Sequence, residues 1–201
     1  MFQTRIQGAL LNLTNQRIGY LAAALSFRQD TQVLMLCTNL IKKDLASNNY
    51  LESAIAMHTL AQIVTPDLAR DLCQDLVNIL KHSNPGLRKR AILVLFRMFV
   101  KYPESLRSAF PRLRERLEDP DPAVVAAAAN VICELATRNP KSYLPLAPVL
   151  YNLLTTSLNN WMLIKIVKLV RVFTGFQTHL IVCSAHAARA TACQKINPTI
   201  I

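Results

Sequence analysis

The stretch KYPESLRSAFPRLRERLEDPDPAVVAAAANVICELATRN, from Lys101 to Asn139, decides the fold of this chain. It contains one helical pattern, a turn punctuated by prolines, and a second helical pattern that is rich in alanine. Prolines and leucines of the stretch have counterparts 37 residues earlier and 37 residues later. A constant interval of this length, filled by two helices, predicts stacked helical repeats.

The recurrence can be followed through five series of positions. They are Pro66, Pro103 and Pro140; Leu76, Leu113 and Leu150; Leu80, Leu117 and Leu154; Pro85 and Pro122; and Leu87, Val124 and Trp161. We therefore predict an all-α fold, an α-solenoid of antiparallel helix pairs of the HEAT or armadillo kind with a period of about 37 residues. Four glycines are too few for a sandwich, a barrel or a phosphate-binding loop.

Apolar residues at spacings of three or four predict the buried face of each helix. On the second helices of successive pairs they are Leu72, Leu76 and Leu80, then Ala109, Leu113 and Leu117, then Leu146, Leu150 and Leu154. On the first helices they are Ile92, Leu95 and Phe99, then Ala129, Ile132 and Ala136, then Ile166, Leu169 and Phe173. We expect these residues to form the core.

Short polar residues followed by proline predict where the helices begin, because the polar side chain caps the first turn and proline needs no hydrogen bond there. These pairs are Thr65–Pro66, Asn84–Pro85, Asp121–Pro122 and Asn139–Pro140, with Tyr102–Pro103 as a variant with a poorer cap. Asn48 and Asn49 are predicted to cap the helix that follows them.

We divide the chain into a poorly anchored lead-in (1–15), the repeats (16–173) and a divergent tail (174–201). A short helix is expected from Gln16, and Asp30 is the predicted cap of the next helix. On that next helix Val33, Leu36 and Leu40 are predicted to face inward. Lys42, Lys43 and Asp44 are predicted to face water.

The tail has no counterpart at the 37-residue offset, no acidic residue and no good helix cap. It either covers the open end of the solenoid or is a non-native ending from alternative splicing or a gene-model error, and these features favour the second.

The composition is that of a folded, basic protein. Of 201 residues, 52% are hydrophobic and 17% charged, which excludes a disordered chain. The net charge is +11, and no acidic residue follows Glu134. Such a bias is compatible with an anionic partner, either a phospholipid surface or a nucleic acid, and also with ordinary solvated helix faces.

The five cysteines are odd in number and scattered, which favours buried thiols in a reducing compartment over a disulfide framework. The N-terminus shows no signal-peptide pattern. Lys165, Lys168 and Arg171 interrupt the most apolar region well before the ~20 residues that a membrane span needs.

Beyond these patterns, the sequence resembles the trunk of a large adaptin. The segments KYPESLRSAFPRLRERLEDPDPAVVAAAANVICELATRNPKSYLPLAPVLYNLL and LNNWMLIKIVKLV are similar to the delta subunits of adaptor protein complex 3, as are QRIGYLAAALSF, LIKKDLAS and VTPDLARDL upstream. The resemblance covers about Gln16 to Val170. The helices that precede QRIGYL in the family, and its hinge and ear, have no counterpart, so a trunk truncated at both ends is expected.

The resemblance implies a non-enzymatic scaffold of a vesicle coat. It implies partners of the sigma, beta and mu types, recruitment by an Arf-type GTPase, and indirect contact with cargo sorting signals and an anionic membrane. It also implies a cytoplasmic protein, peripheral on Golgi or endosomal membranes, that takes part in sorting toward lysosome-related compartments. No cofactor and no nucleic acid are implied.

Two basic clusters are the candidate contacts with an anionic membrane or a partner. The first is Arg88, Lys89 and Arg90, of which at most two can share a helix face. The second is Lys165, Lys168 and Arg171, which share a side at i, i+3 and i+6. For both clusters the simpler interpretation is exposure to solvent, with Arg88 to Arg90 paired to acids such as Glu118 or Asp119.

Other chemistry has little support in the sequence. His179, Cys183, His186 and Cys193 have zinc-ligating side chains, but their spacing fits no closed structural site. No glycine-rich loop, paired carboxylates or activated nucleophile indicates catalysis, so we expect no catalytic, cofactor or metal residues.

Two alternative functions remain open. One is a basic helical-repeat protein that binds nucleic acid, although Phe96, Phe99 and Phe110 are predicted on apolar faces rather than among lysines. The other is a different transport or scaffolding solenoid.

Overall fold

A computed structural model describes residues 2–27, 33–157 and 159–176, and these residues form helices joined by short connections. The α-helices are α1 Phe2–Ser26, α2 Val33–Leu36, α3 Thr38–Leu45, α4 Tyr50–Ile63, α5 Pro66–Ile79, α6 Pro85–Lys101, α7 Ser105–Glu115, α8 Pro122–Arg138, α9 Pro140–Tyr143, α10 Ala147–Thr156 and α11 Asn160–Phe176. Short 3₁₀ turns follow α7 and α9. No strand occurs among the described residues.

The described residues form two compact units, with the boundary between Val131 and Ile132 inside α8. In the first unit, α4 packs against both α1 and α6, whereas α5 packs against both α3 and α7. Contacts of α3 with α4 and of α5 with α6 join these two layers. This arrangement is that of an α-solenoid, so the predicted fold class is confirmed. In the second unit, α11 packs against α9 and α10.

Helix starts follow the predicted caps at four of the six places. The side chains of Asn49, Thr65 and Asn84 accept hydrogen bonds from the N–H groups of Leu51, Leu68 and Gly86. Asp121 Oδ1 accepts from the N–H of Ala123 at 2.8 Å. Each bond satisfies an N–H that the helix itself leaves unpaired.

Two of the predicted caps are wrong. Asn139 makes no side-chain capping hydrogen bond, although α9 does begin at Pro140. Near Pro103, α7 begins only at Ser105, after Glu104, whose side chain also makes no capping bond.

Of the 18 residues predicted to form the buried helix faces, 17 are buried, so the predicted core is confirmed at those positions. The exception is Leu154, on the last turns of α10, which is only half-buried. Leu113 is fully buried on α7. Burial at these spacings is what holds one helix against the next, because removal of apolar surface from water is the main favourable contribution to folding. The 37-residue period itself stays a prediction.

The inward face of the helices after residue 32 was predicted wrongly. The predicted single helix is interrupted at Cys37 between α2 and α3, and the interruption changes which residues face inward. Leu34 and Ile41 are buried, whereas Leu36 is 79% exposed and Leu40 is also exposed. The side chain of Val33 and the predicted cap Asp30 lie outside what the structure describes.

Asp44 was also predicted wrongly, because it is buried rather than turned toward water. Its Oδ2 accepts hydrogen bonds from the Tyr20 hydroxyl at 2.5 Å and from Gln16 Nε2 at 2.8 Å. These donors lie on α1, so the buried carboxylate fastens α3 to α1. Burial, followed by the hydrogen bond to Asp44 and its charge, raises the pKa of Tyr20, which keeps the phenol protonated as a donor.

The helix that was expected to be short, from Gln16, extends back to Phe2 in α1. The side chains of residues 1–12 and the whole of 177–201 lie outside the description, so the bounds of the lead-in and of the tail stay predictions.

Candidate functional site

The first basic cluster lies in the first turns of α6, where its three residues take different environments. Arg88 turns inward, with a side chain only 9% exposed, whereas Lys89 and Arg90 are exposed. The Arg90 guanidinium carbon stands 5.5 Å from the centre of the Tyr50 ring, a cation–π distance. Only Lys89 and Arg90 therefore present charge to solvent at this cluster.

Arg88 is held by four hydrogen bonds inside the first unit. Its Nε and Nη2 donate to Asp119 Oδ2 and Oδ1 at 2.9 and 2.8 Å, the two-bond geometry that guanidinium and carboxylate favour. Its Nη1 donates to the carbonyl oxygens of His82 and Ser83 at 2.9 and 2.7 Å. The guanidinium thus ties the start of α6 to the loop after α7 and to the loop after α5.

Asp119 sits at the centre of this buried group. Besides Arg88, it accepts from Arg116 Nη1 at 3.0 Å and from the N–H of Asp121 at 3.0 Å. Burial alone raises the pKa of Asp119, but the hydrogen bonds and the positive charges of Arg88 and Arg116 outweigh it and hold that pKa below its usual value. The carboxylate is therefore ionised and fully engaged at neutral pH, as a structural group rather than a binding one.

The second basic cluster lies on α11 in the second unit. Lys168 and Arg171 are exposed, and Lys165 Nζ forms an ion pair with Glu134 Oε1 at 3.1 Å. Trp161, Ile164 and Val167 are exposed on the same side of the helix, with Trp161 77% exposed. We call Trp161, Ile164, Val167, Lys168 and Arg171 the α11 face. It combines large apolar side chains with cations, a combination typical of helices that lie against anionic surfaces.

Metal-ligating side chains do not cluster in the part of the chain that the structure describes. No group of three or more His, Cys, Asp or Glu side chains there converges as metal ligands. Cys73 and Cys133 are buried free thiols, and burial raises the pKa of Cys133 to about 12, so it is not a nucleophile at neutral pH. His179, Cys183, His186 and Cys193 lie outside the described residues.

No helix within 2–27, 33–157 and 159–176 has both the length and the hydropathy that crossing a membrane requires.

Comparison with known proteins decides the family. The family model for the adaptin N-terminal region matches residues 9–188. The chain is 54% identical over 167 residues to AP-3 complex subunit delta-1 of Bos taurus, a match that covers 83% of this chain. This chain belongs to the adaptin family. The adaptin chain is also 53% identical over 168 residues to AP-3 complex subunit delta of Dictyostelium discoideum, and 54% over 163 residues to that of Schizosaccharomyces pombe.

Structural comparison agrees. A homology model of the full-length AP-3 complex in an intermediate open conformation aligns with 92% of this chain and 32% of its own, at a TM-score of 0.72 and 39% identity. An engineered protein aligns with 69% of this chain and 63% of its own, at a TM-score of 0.55 and 19% identity, a likeness of fold alone. The adaptin chain spans 14%, 15% and 20% of the lengths of the three curated relatives.

Proposed function

We propose that this adaptin chain is a non-enzymatic scaffold subunit of a vesicle-coat adaptor complex, acting in intracellular protein transport and cargo sorting from Golgi or endosomes to lysosome-related compartments. The observation that carries the proposal is the 54% identity, over 83% of the chain, to AP-3 complex subunit delta-1. The fold supports it, because stacked helices offer long faces for docking rather than an enclosed pocket for chemistry.

The proposed partners are subunits of the sigma, beta and mu types and an Arf-type GTPase, with cargo signals and the membrane contacted indirectly. The proposed location is the cytoplasmic side of Golgi or endosomal membranes. What supports these partners is that one aligned structure is a multi-subunit AP-3 complex.

Besides the indirect contact through other subunits, we propose that the α11 face makes a direct contact of this chain with an anionic membrane. Exposed Lys168 and Arg171 attract anionic headgroups, and exposed Trp161 suits the interfacial region where an aromatic ring is half in water. Lys89 and Arg90 remain a second proposed contact, with a partner or a headgroup. Arg88 is excluded from it, since its side chain is only 9% exposed and four of its five N–H donors bond to Asp119 and two carbonyl groups.

Only one exposed aromatic ring on the α11 face, Trp161 beside Lys168 and Arg171, favours the nucleic-acid alternative. A single-strand binding surface needs a series of such rings among cations, and Phe99 is buried while Phe96 is half-buried. Scaffolding in another transport system shares the architecture, but the relatives named above are adaptor subunits.

Co-expression tests the scaffold proposal. The 201-residue chain is produced with tagged sigma, beta and mu subunits of an AP-3 complex. The molar mass of the purified material is then measured by light scattering. Retention of the chain in a stoichiometric complex supports the proposal. The proposal is contradicted if the chain is folded by circular dichroism but elutes alone while the other subunits associate with one another. Salt-sensitive RNA binding by the same chain would instead favour the alternative.

A further inference from the structure

A groove of about 570 Å³ crosses one face of the first unit, over α4 and between α1 and α6. This volume is within the range of binding sites for small or peptide ligands. We call it the α4 groove. Its lining residues come from these three helices: Leu13, Arg17, Leu21, Leu51, Ala54, Ile55, His58, Thr59, Ala61, Arg90, Leu93 and Val94.

The floor and walls of the α4 groove are apolar and open to solvent. Small side chains of α4, Ala54 and Ala61, leave the space between the flanking helices unfilled. Leu21, Leu51 and Leu93, one from each helix, are each more than 40% exposed. Large exposed aliphatic side chains that converge on a concave surface are typical of binding sites rather than of ordinary solvated faces.

The charge of the groove has one sign. Arg17 of α1 and Arg90 of α6 are exposed on its two walls, His58 of α4 is exposed between them, and none of its twelve lining residues is acidic. The nearby carboxylate of Glu52 is engaged by Ser47 Oγ at 2.6 Å and by Asn49 Nδ2 at 3.0 Å. Arg17 and Arg90 therefore have no carboxylate partner within the groove lining.

We propose that the α4 groove binds an amphipathic helix of a partner protein, with leucine-like side chains on one face and carboxylates beside them. The apolar face fills the space over Ala54 and Ala61, and the carboxylates pair with Arg17 and Arg90. A helix fits better than a bilayer, because the apolar side chains line a concavity and side chains that enter a bilayer must protrude. The inference goes beyond the proposed role in coat assembly, because this chain alone forms the groove and no other coat subunit is needed to test it.

The test uses the purified 201-residue chain and fluorescent synthetic peptides of about 14 residues, roughly four helical turns. In the first peptide set leucines recur at i, i+3, i+4 and i+7 with glutamates flanking them; in the second, lysine replaces every glutamate. Fluorescence anisotropy gives the affinities. The acidic set is expected to bind at least about tenfold more tightly than the basic set.

Arg17→Glu is the principal variant, because Arg90 also contacts Tyr50. It is expected to weaken binding of the acidic peptides by about tenfold or more and to strengthen binding of the lysine peptides. Lys43→Glu makes the same charge change on α3, outside the groove, and it should change affinity less than about threefold. Circular dichroism confirms that each variant is folded.

Three results would overturn the inference. They are equal affinity for the two peptide sets, equal losses of affinity in Arg17→Glu and Lys43→Glu, and displacement of bound peptide by phosphatidylserine vesicles to the same extent in the natural chain and in Arg17→Glu. None of the measurements involves another coat subunit. Failure here therefore leaves the co-expression result standing, and failure of co-expression leaves this one standing.

Discussion

The two basic clusters look alike in the sequence and differ in the folded protein. At the start of α6, Arg88 is buried against Asp119, whose side chain is fully buried, and its charge is used inside the protein. On α11, Lys165 pairs with Glu134 at a site where both side chains are substantially exposed, and Lys168 and Arg171 face water beside Trp161. One cluster thus stabilises the fold, and the other lies at the protein surface. The comparison teaches that the role of a basic side chain depends on whether the fold places a buried carboxylate or solvent next to it.

The largest effect is expected from breaking the buried pair. Asp119→Ala should lower the free energy of unfolding by about 3–5 kcal/mol, because it leaves the buried guanidinium of Arg88 without a counter-charge. Arg88→Ala should cost less than Asp119→Ala, because Asp119 keeps its ion pair with Arg116. Chemical denaturation measures the loss, and Lys89→Ala should change stability by no more than about 0.5 kcal/mol. If Arg88 were a surface residue, the two alanine variants of α6 would behave alike.

Next in size is the core of the first unit. Leu113→Ala should lower the free energy of unfolding by about 2–5 kcal/mol through lost burial and the cavity that remains. Leu154→Ala, in the second unit, should cost clearly less, because Leu154 is half-buried and the space left by its side chain opens to water. Denaturant melts of both variants test this difference, and equal losses would show that the burial of Leu154 is described wrongly.

Low pH should reduce the contribution of the buried Asp119 carboxylate to the free energy of unfolding. Because the folded-state pKa of Asp119 is lowered, its contribution to stability is complete above the unfolded-state value of about 3.9 and is lost as the pH falls through the lower folded-state value. The stability gap between the natural chain and Asp119→Asn should therefore narrow below about pH 4. Denaturant titrations at several pH values measure the gap, and a gap that widens in acid contradicts the assignment.

On the α11 face the expected effect is on binding rather than on folding. Trp161 is the single tryptophan of the chain, so its emission should shift to the blue when phosphatidylserine vesicles are added. Lys168→Glu should weaken vesicle binding by about thirtyfold, since each basic residue near an anionic surface contributes about 1 kcal/mol and a charge reversal counts twice. Lys141→Glu, exposed on α9, is the matched control. Equal losses in both variants would remove the special role of the α11 face.

The smallest effect is expected at the exposed ion pair. Lys165→Ala or Glu134→Ala should change the free energy of unfolding by less than about 1 kcal/mol, because water and salt screen the pair. Denaturation in low and high salt measures it. A loss comparable to that of Asp119→Ala would erase the contrast between the two clusters.

Local patterns predicted those parts of the fold that depend on neighbours along the chain. Helical spacing identified the buried leucines of α5 and α7, and polar residues before proline located the starts of α5, α6 and α8. The same reasoning failed at Leu36, because the interruption at Cys37 shifts the buried face and no local signal announces it. The α4 groove was also missed, since its lining comes from three separate helices.

The sequence by itself determined the all-helical class, most of the core and the adaptin resemblance, because helix periodicity, capping and motif identity are properties of residues close together in the chain. Only the tertiary structure decided which charged side chains are buried. Asp44 meets Tyr20 from 24 residues away, and Arg88 meets Asp119 from 31 residues away. Whether a charge is buried and paired or left to a partner depends on such distant contacts, because the cost of removing it from water is offset only where the opposite group is brought to it.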